Sequence, residues 1–455
     1  MKAFRTWNPE ESWLLPPSPR DWLRADHLVF CVLDVVKGLD LSAIEERYRD
    51  RDARGEKGYH PAMMTALLLY GYAIGVASSR QLERATYEAV PVRVLTGGQH
   101  PDHTRISEFR REHLKAIERL FVEMLRVCQK AGMVTLGHVA LDGSKIKANA
   151  SKHKAMSYER MVKSEWELAA EVAALLERAE RIDAEEDARF GRGVRGDELP
   201  EELRRREDRL ARLRQAKAEL EAEAAAEHAA RQQEKDGDPP AGGAPGRREL
   251  PRHRVKATKD GHPVKKAQRN FTDPESQIMK HQGGFIQGYN GQVAVDEDHQ
   301  IIVAHAMTNQ SPDAEHLVPM VDLIESNTGA LPERLTADAG YWSEDNAGAC
   351  EERGIDAYIA TGRLAHREAP PPLRGRPPRK LDAKGRMSRK LRTKKGRAVY
   401  ARRKAVVEPC IGQIKNRGFW RLLLRGLEKV RGEWALIATA HNLLKYYRVV
   451  WTPAT

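Results

Sequence analysis

Cysteine is scarce in this chain. Its 455 residues include four, Cys31, Cys128, Cys350 and Cys410, too far apart to form a C-x-x-C pair. That spacing excludes a disulfide framework and a zinc ribbon, and points to a reducing compartment. His100 and His103 stand close together without a neighbouring cysteine, which reads as loop polarity rather than a zinc site. Met1 to Glu11 contain no apolar signal core. Long apolar runs are also missing, with one partial exception. Pro61 to Ser79 carries no charge, but Thr65, Gly71 and Gly75 interrupt it. Its length is at the lower limit for spanning a bilayer, so it reads as a buried core helix. The chain is expected to be soluble, cytoplasmic and nucleoid-associated, with no membrane partner.

Positive charge is what the chain has in excess. Lysines and arginines number 77 against 65 acidic residues, a net charge of +12. Such an excess favours a phosphate-rich partner. It is concentrated between residues 363 and 404, where 17 basic residues face two acidic ones. A run of one sign repels itself unless a counter-charge is near, which suits salt-dependent contact with a polyanion.

Hydrophobic periodicity divides the chain into blocks. Residues 1–135 read as a mainly helical N-terminal domain. Leu14 to Pro19 is a rigid entry loop, and Asp26–Lys37, Leu41–Arg49 and 62–77 are helix candidates. Ser78 with Gln81 fits a capping box, and Thr96 to Gln99 a turn. From Ile106 to Cys128 apolar residues recur at helical spacing. The preceding helix and turn, with Arg105, Arg110, Arg111 and Lys115, fit either a DNA-reading element or a helical pack with a solvated basic face. Residues 158–235 carry two narrow apolar stripes, from Leu168 to Ile182 and from Leu203 to Leu220, separated by a glycine-rich turn at 191–196. That pattern predicts an antiparallel helical hairpin. Residues 236–269 read as a flexible basic linker. Residues 136–157 and 270–450 supply strand candidates alternating with helices. They include Phe285–Val295, Ile301–Met307, Arg334–Asp338 and Asp356–Ala360, and together predict a mixed α/β core.

Three acidic residues stand out against these elements. Asp142 ends the apolar run Val139-Ala-Leu-Asp142-Gly, where the strand is expected to break. Asp338 ends Leu335-Thr-Ala-Asp338-Ala-Gly-Tyr341, and Glu408 lies in a basic helical stretch. Carboxylates at strand ends are rigid and reach a cleft. Three of them suit divalent metal ions, which stabilise the charge that builds on attacking and leaving oxygens during phosphoryl transfer. Tyr400, Arg403 and Lys415 are candidate phosphate contacts near Glu408, and Lys145 is a candidate DNA contact beyond Asp142.

Five segments carry a resemblance: Ala140 to Lys152, Asn270 to Ser276, Gly288 to Gln292, Ala337 to Tyr341 and Val407 to Lys415. In them the chain resembles the DDE transposases of bacterial insertion sequences. The likeness implies an RNase H-like catalytic core, here interrupted by the helical hairpin. It implies that Asp142, Asp338 and Glu408 are catalytic and bind Mg²⁺, with Mn²⁺ able to substitute. It also implies a Tyr-Arg-Glu-Lys signature, met here by Tyr400, Arg403, Glu408 and Lys415. Arg403 lies one residue further from Glu408 than the commonest family spacing, which leaves Arg402 and Lys404 as alternatives. Some relatives hold a flipped base on a tryptophan; Trp342 and Trp420 lie near the corresponding segments, and core packing is the role expected of both. The implied activity is binding of terminal inverted repeats, cleavage at the ends and transfer of 3′-hydroxyls to target DNA. Processing two ends together requires a homodimer or higher assembly. The rival readings are a non-catalytic DNA-binding repressor, a metal-dependent nuclease without strand transfer, and a purely structural helical protein, which would explain the hairpin but not the acid-bearing strand ends.

Overall fold

The computed structural model describes residues 18–49, 58–190, 201–235, 250–281, 283–362 and 380–452, together with 373, 375 and 378. Leu14 to Pro17, the glycine-rich turn, residues 236–249 of the linker and most of 363–379 lie outside the described residues. The chain divides into two compact units, one of residues 1–134 with 435–455, the other of residues 135–434.

The first unit is helical. It contains α1 (Leu28–Gly38), α2 (Ser42–Arg49), α3 (Pro61–Ala73), α4 (Ser79–Glu88), α5 (Val90–Thr96), α6 (His103–Glu112) and α7 (Leu114–Lys130). In α3 every residue from Met64 to Ala73 is buried, because α1, α5 and α6 pack around it. This accounts for an apolar run without a polar face. No helix among the described residues is long and apolar enough to cross a membrane. The capping box does not close: Ser78 precedes α4 but makes no side-chain cap bond. Buried Arg110 organises that turn instead, donating to Tyr72 Oη, Ala77 O and Ser79 Oγ. Arg110 is therefore not part of a solvated basic face. The periodic run from 106 to 128 is two helices, broken at His113, whose ring stacks on Tyr48 and packs tilted against Phe109.

The second unit is mixed α/β, consistent with the RNase H-like core expected. Its main strands are β1 (Val139–Lys147), β4 (Gln277–His281), β5 (Gly284–Asp296), β6 (Ile302–Thr308), β7 (Arg334–Ala337) and β8 (Asp356–Ile359). They pair in the order β4-β5-β1-β7-β8, with β6 also on β5. The β5 pairings are antiparallel, whereas β1, β7 and β8 run parallel. A separate ribbon joins β2 (Ala155–Ser157) to β3 (Gln268–Asn270). The sheet carries α10 (Leu317–Thr328), α11 (Glu344–Glu352), α12 (Ala383–Arg392) and α13 (Lys394–Asn416), and α14 (Leu427–Tyr446) begins in this unit.

One sequence expectation is corrected here. Asp142-Gly does not end the strand; β1 continues to Lys147, paired throughout with β5. The pairing with β7 does end at Leu141, opposite Ala337. Asp142 and Asp338 are thus the first residues beyond the parallel pairing on adjacent strands.

The hairpin is formed by α8 (Tyr158–Phe190) and α9 (Glu201–Lys235). Glu165 pairs with Arg214 and Lys217, and Glu171 with Arg206. As one helix advances the other recedes, which makes them antiparallel. Leu168, Val172 and Leu210 form one apolar cluster, and Met161, Leu213, Leu220 and Ala224 another. Val255 is buried in the second cluster, so residues 250–268 lie on the hairpin rather than forming free linker.

Candidate active site

The sheet places Asp142 and Asp338 side by side. Asp142 Oδ1 accepts from the Gly143 N–H at 2.8 Å, and Oδ2 from Arg403 Nη1 at 3.1 Å. Burial raises the Asp142 carboxyl to about 6; Arg403 opposes the rise and the Asp338 charge adds to it. Asp338 Oδ1 accepts from the Gly340 N–H at 2.8 Å, which fixes the turn after β7.

Arg403 reaches this pair because of its phase on α13. Val399, Val406, Val407, Cys410 and Ile414 are buried with it, and at 100° per residue all lie within about 60° of its direction. Arg402 and Lys404 fall outside that stripe and are exposed, and Arg402 pairs with Glu297 instead. Of the three basic residues, Arg403 is the one whose side chain meets Asp142. Pro409 interrupts the helix interior. It has no N–H for the Ala405 carbonyl, and that carbonyl accepts from Gln300 Nε2 at 3.0 Å.

Tyr400 is on the same side of α13, with the Arg403 guanidinium carbon 5.8 Å from its ring centre. Burial raises the Tyr400 hydroxyl, Arg403 lowers it, and Asp338 and Asp142 raise it. Lys415 lies two turns beyond Glu408. Burial lowers its ammonium and Asp142 raises it, which places it within electrostatic reach of the aspartate. Glu408 itself is exposed. Its direction on the helix is about 140° from Arg403 and about 20° from Lys415. Among the described residues no hydrogen bond or ion pair joins Glu408 to either aspartate, and no three acidic, histidine or cysteine side chains cluster closely enough to hold a metal ion. The structure therefore brings together Asp142, Asp338, Arg403 and Tyr400, while Glu408 and Lys415 share another side of α13, with Lys415 within electrostatic reach of Asp142.

Sequence reasoning missed a fourth acid. Asp313 accepts from Lys145 Nζ at 3.0 Å, Asn290 Nδ2 at 2.7 Å and Gln292 Nε2 at 2.9 Å. A β-carbon added at Gly340 would lie 3.0 Å from Asp338 Oδ1 and 3.3 Å from Asp313 Oδ2, so the two carboxylates flank one turn. Lys145, expected on DNA, is committed to Asp313 and to the Ser311 carbonyl at 2.7 Å. The Gly288 to Gln292 segment is explained by these contacts. Asn290 and Gln292 alternate along β5 and meet Asp313, Tyr341 Oη donates to Gln292 Oε1, and Tyr289 Oη donates to Asp273 at 2.8 Å. Two buried amides at period-two spacing were the available sequence signal, since each needs a partner. Gly143 sits within the same crowding. A β-carbon there would meet Gln292 Nε2 at 2.5 Å and Asp313 Oδ1 at 2.8 Å.

Trp420 corrects a further expectation. It is 53% exposed, and Lys415 Nζ is 5.7 Å from its ring centre. Trp342 is half-buried.

The chemistry of Asp142 and Asp338 fits one hard divalent cation. Burial is the main cause of the raised Asp142 carboxyl and the neighbouring Asp338 charge adds to it; a cation between the two carboxylates would offset both.

Residues 253–443 match a family model described as the transposase DDE domain, and residues 18–112 match one described as a transposase domain (DUF772). Asp338, Arg403 and Glu408 fall within the first match, and Asp142 lies between the two. No curated protein and no solved structure matches the chain.

Proposed function

We propose that this chain, which belongs to the DDE transposases of the insertion-element type, binds the terminal inverted repeats of its element, cleaves at the ends and joins the 3′-hydroxyls to target DNA. The observation that carries this reading is the placement of Asp142 and Asp338 just beyond the pairing of adjacent strands, with Arg403 on Asp142. When bound, a divalent cation, Mg²⁺ or Mn²⁺, supplies Lewis-acid stabilisation of the phosphoryl oxygens and activates water or a 3′-hydroxyl. Asp142 and Asp338 would hold it, with Glu408 the third ligand in this reading.

The protein's own groups have separate tasks. Arg403 keeps Asp142 oriented and offsets its charge while the site is empty of substrate. Asp313, balanced by Lys145 and hydrogen-bonded by Asn290 and Gln292, ties side chains of β1 and β5 together beside the aspartates. Tyr400 and Lys415 of α13 would grip a phosphate. Two ends processed together imply a homodimer or higher assembly on DNA.

The test is incubation of the protein, Asp142→Asn and Asp338→Asn with a plasmid carrying the gene and its flanks, with Mg²⁺ or Mn²⁺. Wild-type breaks that map to inverted repeats and vanish in both variants are expected. Wild-type cutting by either variant would overturn the assignment of that residue. Cutting without joined products would favour the plain nuclease.

A further inference from the structure

A cleft of about 590 Å³ opens in the second unit beside the β1 end. Five cations line it, Lys147, Lys152, Lys154, Arg421 and Arg425, and no carboxylate does. Lys147, Lys152 and Lys154 are exposed and form no ion pair among the described residues. Phe285, on the wall, is 61% exposed. The three lysines face solvent without a counter-charge and repel one another, so the cleft suits an anion.

The two arginines are held in place. Arg421 donates to the Asn149 side chain, Arg425 Nε to Asn149 O at 2.9 Å, and Asn149 Nδ2 to Leu423 O at 2.7 Å. Nearby carboxylates hold the backbone of the arginine loop. Buried Glu433 accepts from Leu423 N and Leu424 N, Asp273 from Gly426 N at 3.1 Å, and Glu275 from Leu427 N at 2.7 Å. The Asn270 to Ser276 segment is thus a latch for one wall of the cleft.

The cleft also connects with the aspartates. Lys147 N donates to Trp420 O at 3.2 Å. The exposed Trp420 ring lies beneath Lys415, which is within electrostatic reach of Asp142. Burial lowers the His281 imidazole, and Lys415 and Lys147 lower it further, so both lysines lie within electrostatic reach of it. Cations and two exposed aromatic rings therefore form one track leading away from Asp142.

We infer that this track binds an unpaired DNA strand adjoining the scissile phosphate, with phosphates on the five cations and bases stacked on Phe285 and Trp420. The inference rests on the transposase reading. Aromatic faces engage bases only when those bases are unstacked, and a cleft of this volume admits a strand, whereas a duplex would rest on its rim.

The test is fluorescence anisotropy of the full chain, without divalent metal, on single-stranded, forked and duplex oligonucleotides. The variants are Phe285→Ala, Phe285→Trp and the double variant Lys152→Glu with Lys154→Glu. Phe285→Ala is expected to weaken single-strand and fork binding about tenfold and duplex binding less than twofold, with Phe285→Trp restoring affinity. The double variant should lower the log–log salt slope on single strands by about 1.4. Quenching of 2-aminopurine in the fork should be relieved in Phe285→Ala alone. Variants that match wild type, or that lose duplex and single-strand binding equally, overturn the inference. If the same preparation still cuts at element ends, that result overturns the cleft alone; if wild type neither binds nor cuts DNA, the transposase reading falls with it.

Discussion

Asp142, Arg403, Lys145 and Asp313 compensate one another in a half-buried cluster, whereas Lys147, Lys152 and Lys154 face solvent with no partner among the described residues. Both regions are rich in charge, and both lie on or beside β1. In the cluster, Arg403 already holds Asp142 and Lys145 holds Asp313 before any substrate arrives. The cleft is left uncompensated, so its electrostatic energy is released only when a polyanion enters. Fixed, paired charges suit positioning at a reacting centre; exposed unpaired cations suit salt-dependent grip. The comparison assigns chemistry to the first region and hold on the strand to the second.

The largest effect that sharpens the contrast is chemical. Asp142→Asn should lower the cleavage rate about a thousandfold, since metal-assisted charge stabilisation is worth several kcal/mol at about 1.4 kcal/mol per tenfold. DNA affinity should change less than about twofold, as read by single-turnover cleavage and anisotropy.

Next is Arg403→Ala. Arg403 and Asp142 have side-chain exposures of 9% and 18%. Removing one partner leaves a buried carboxylate uncompensated, at a cost of about 3–5 kcal/mol. The urea midpoint should fall accordingly, and less in Asp142→Asn/Arg403→Ala than the two single losses added together. Equal additivity would break the claim that the cluster is one unit.

Acid should act on the sheet before it acts on the cleft. Burial lowers the His138 and His316 imidazoles to about 4. The unfolded chain takes up protons below about 6.5 while these folded sites do not. Their stability contribution is therefore full above about pH 6.5 and is lost as pH falls through about 4. Up to about 3 kcal/mol per histidine follows from a shift of this size. Urea unfolding at pH 7 and pH 4.5 should differ in that direction; a flat profile would contradict it.

The smallest effect is steric. Gly143→Ala places a methyl against Gln292 and Asp313 and should cost about 1–3 kcal/mol by thermal melt. Cleavage should fall with it, while binding at Lys152 and Lys154 is spared.

Much of this arrangement was legible in the sequence. The apolar runs before Asp142 and Asp338 marked strands, since β-rich runs punctuated by acidic and glycine residues have few other readings. The continuation of β1 past Gly143 was not legible, because it depends on pairing with β5 about 150 residues away. That Arg403, rather than Arg402 or Lys404, faces Asp142 follows from the phase of Val399, Val406 and Cys410, which the sequence did carry. Asp313 was missed because its partners, Lys145, Asn290 and Gln292, come from two other strands. The cleft was invisible for the same reason: residues 147–154, 285–287 and 421–425 meet only in the fold.

The most direct test of the division of labour is one experiment on two variants. DNA affinity across a salt series and single-turnover cleavage at saturating DNA are measured for Asp142→Asn and for Lys152→Glu/Lys154→Glu. The account predicts lost cleavage with unchanged affinity and salt slope for the first. For the second it predicts weakened, less salt-dependent binding with cleavage at saturation near wild type. The reverse pattern, or the same defect in both variants, would contradict it.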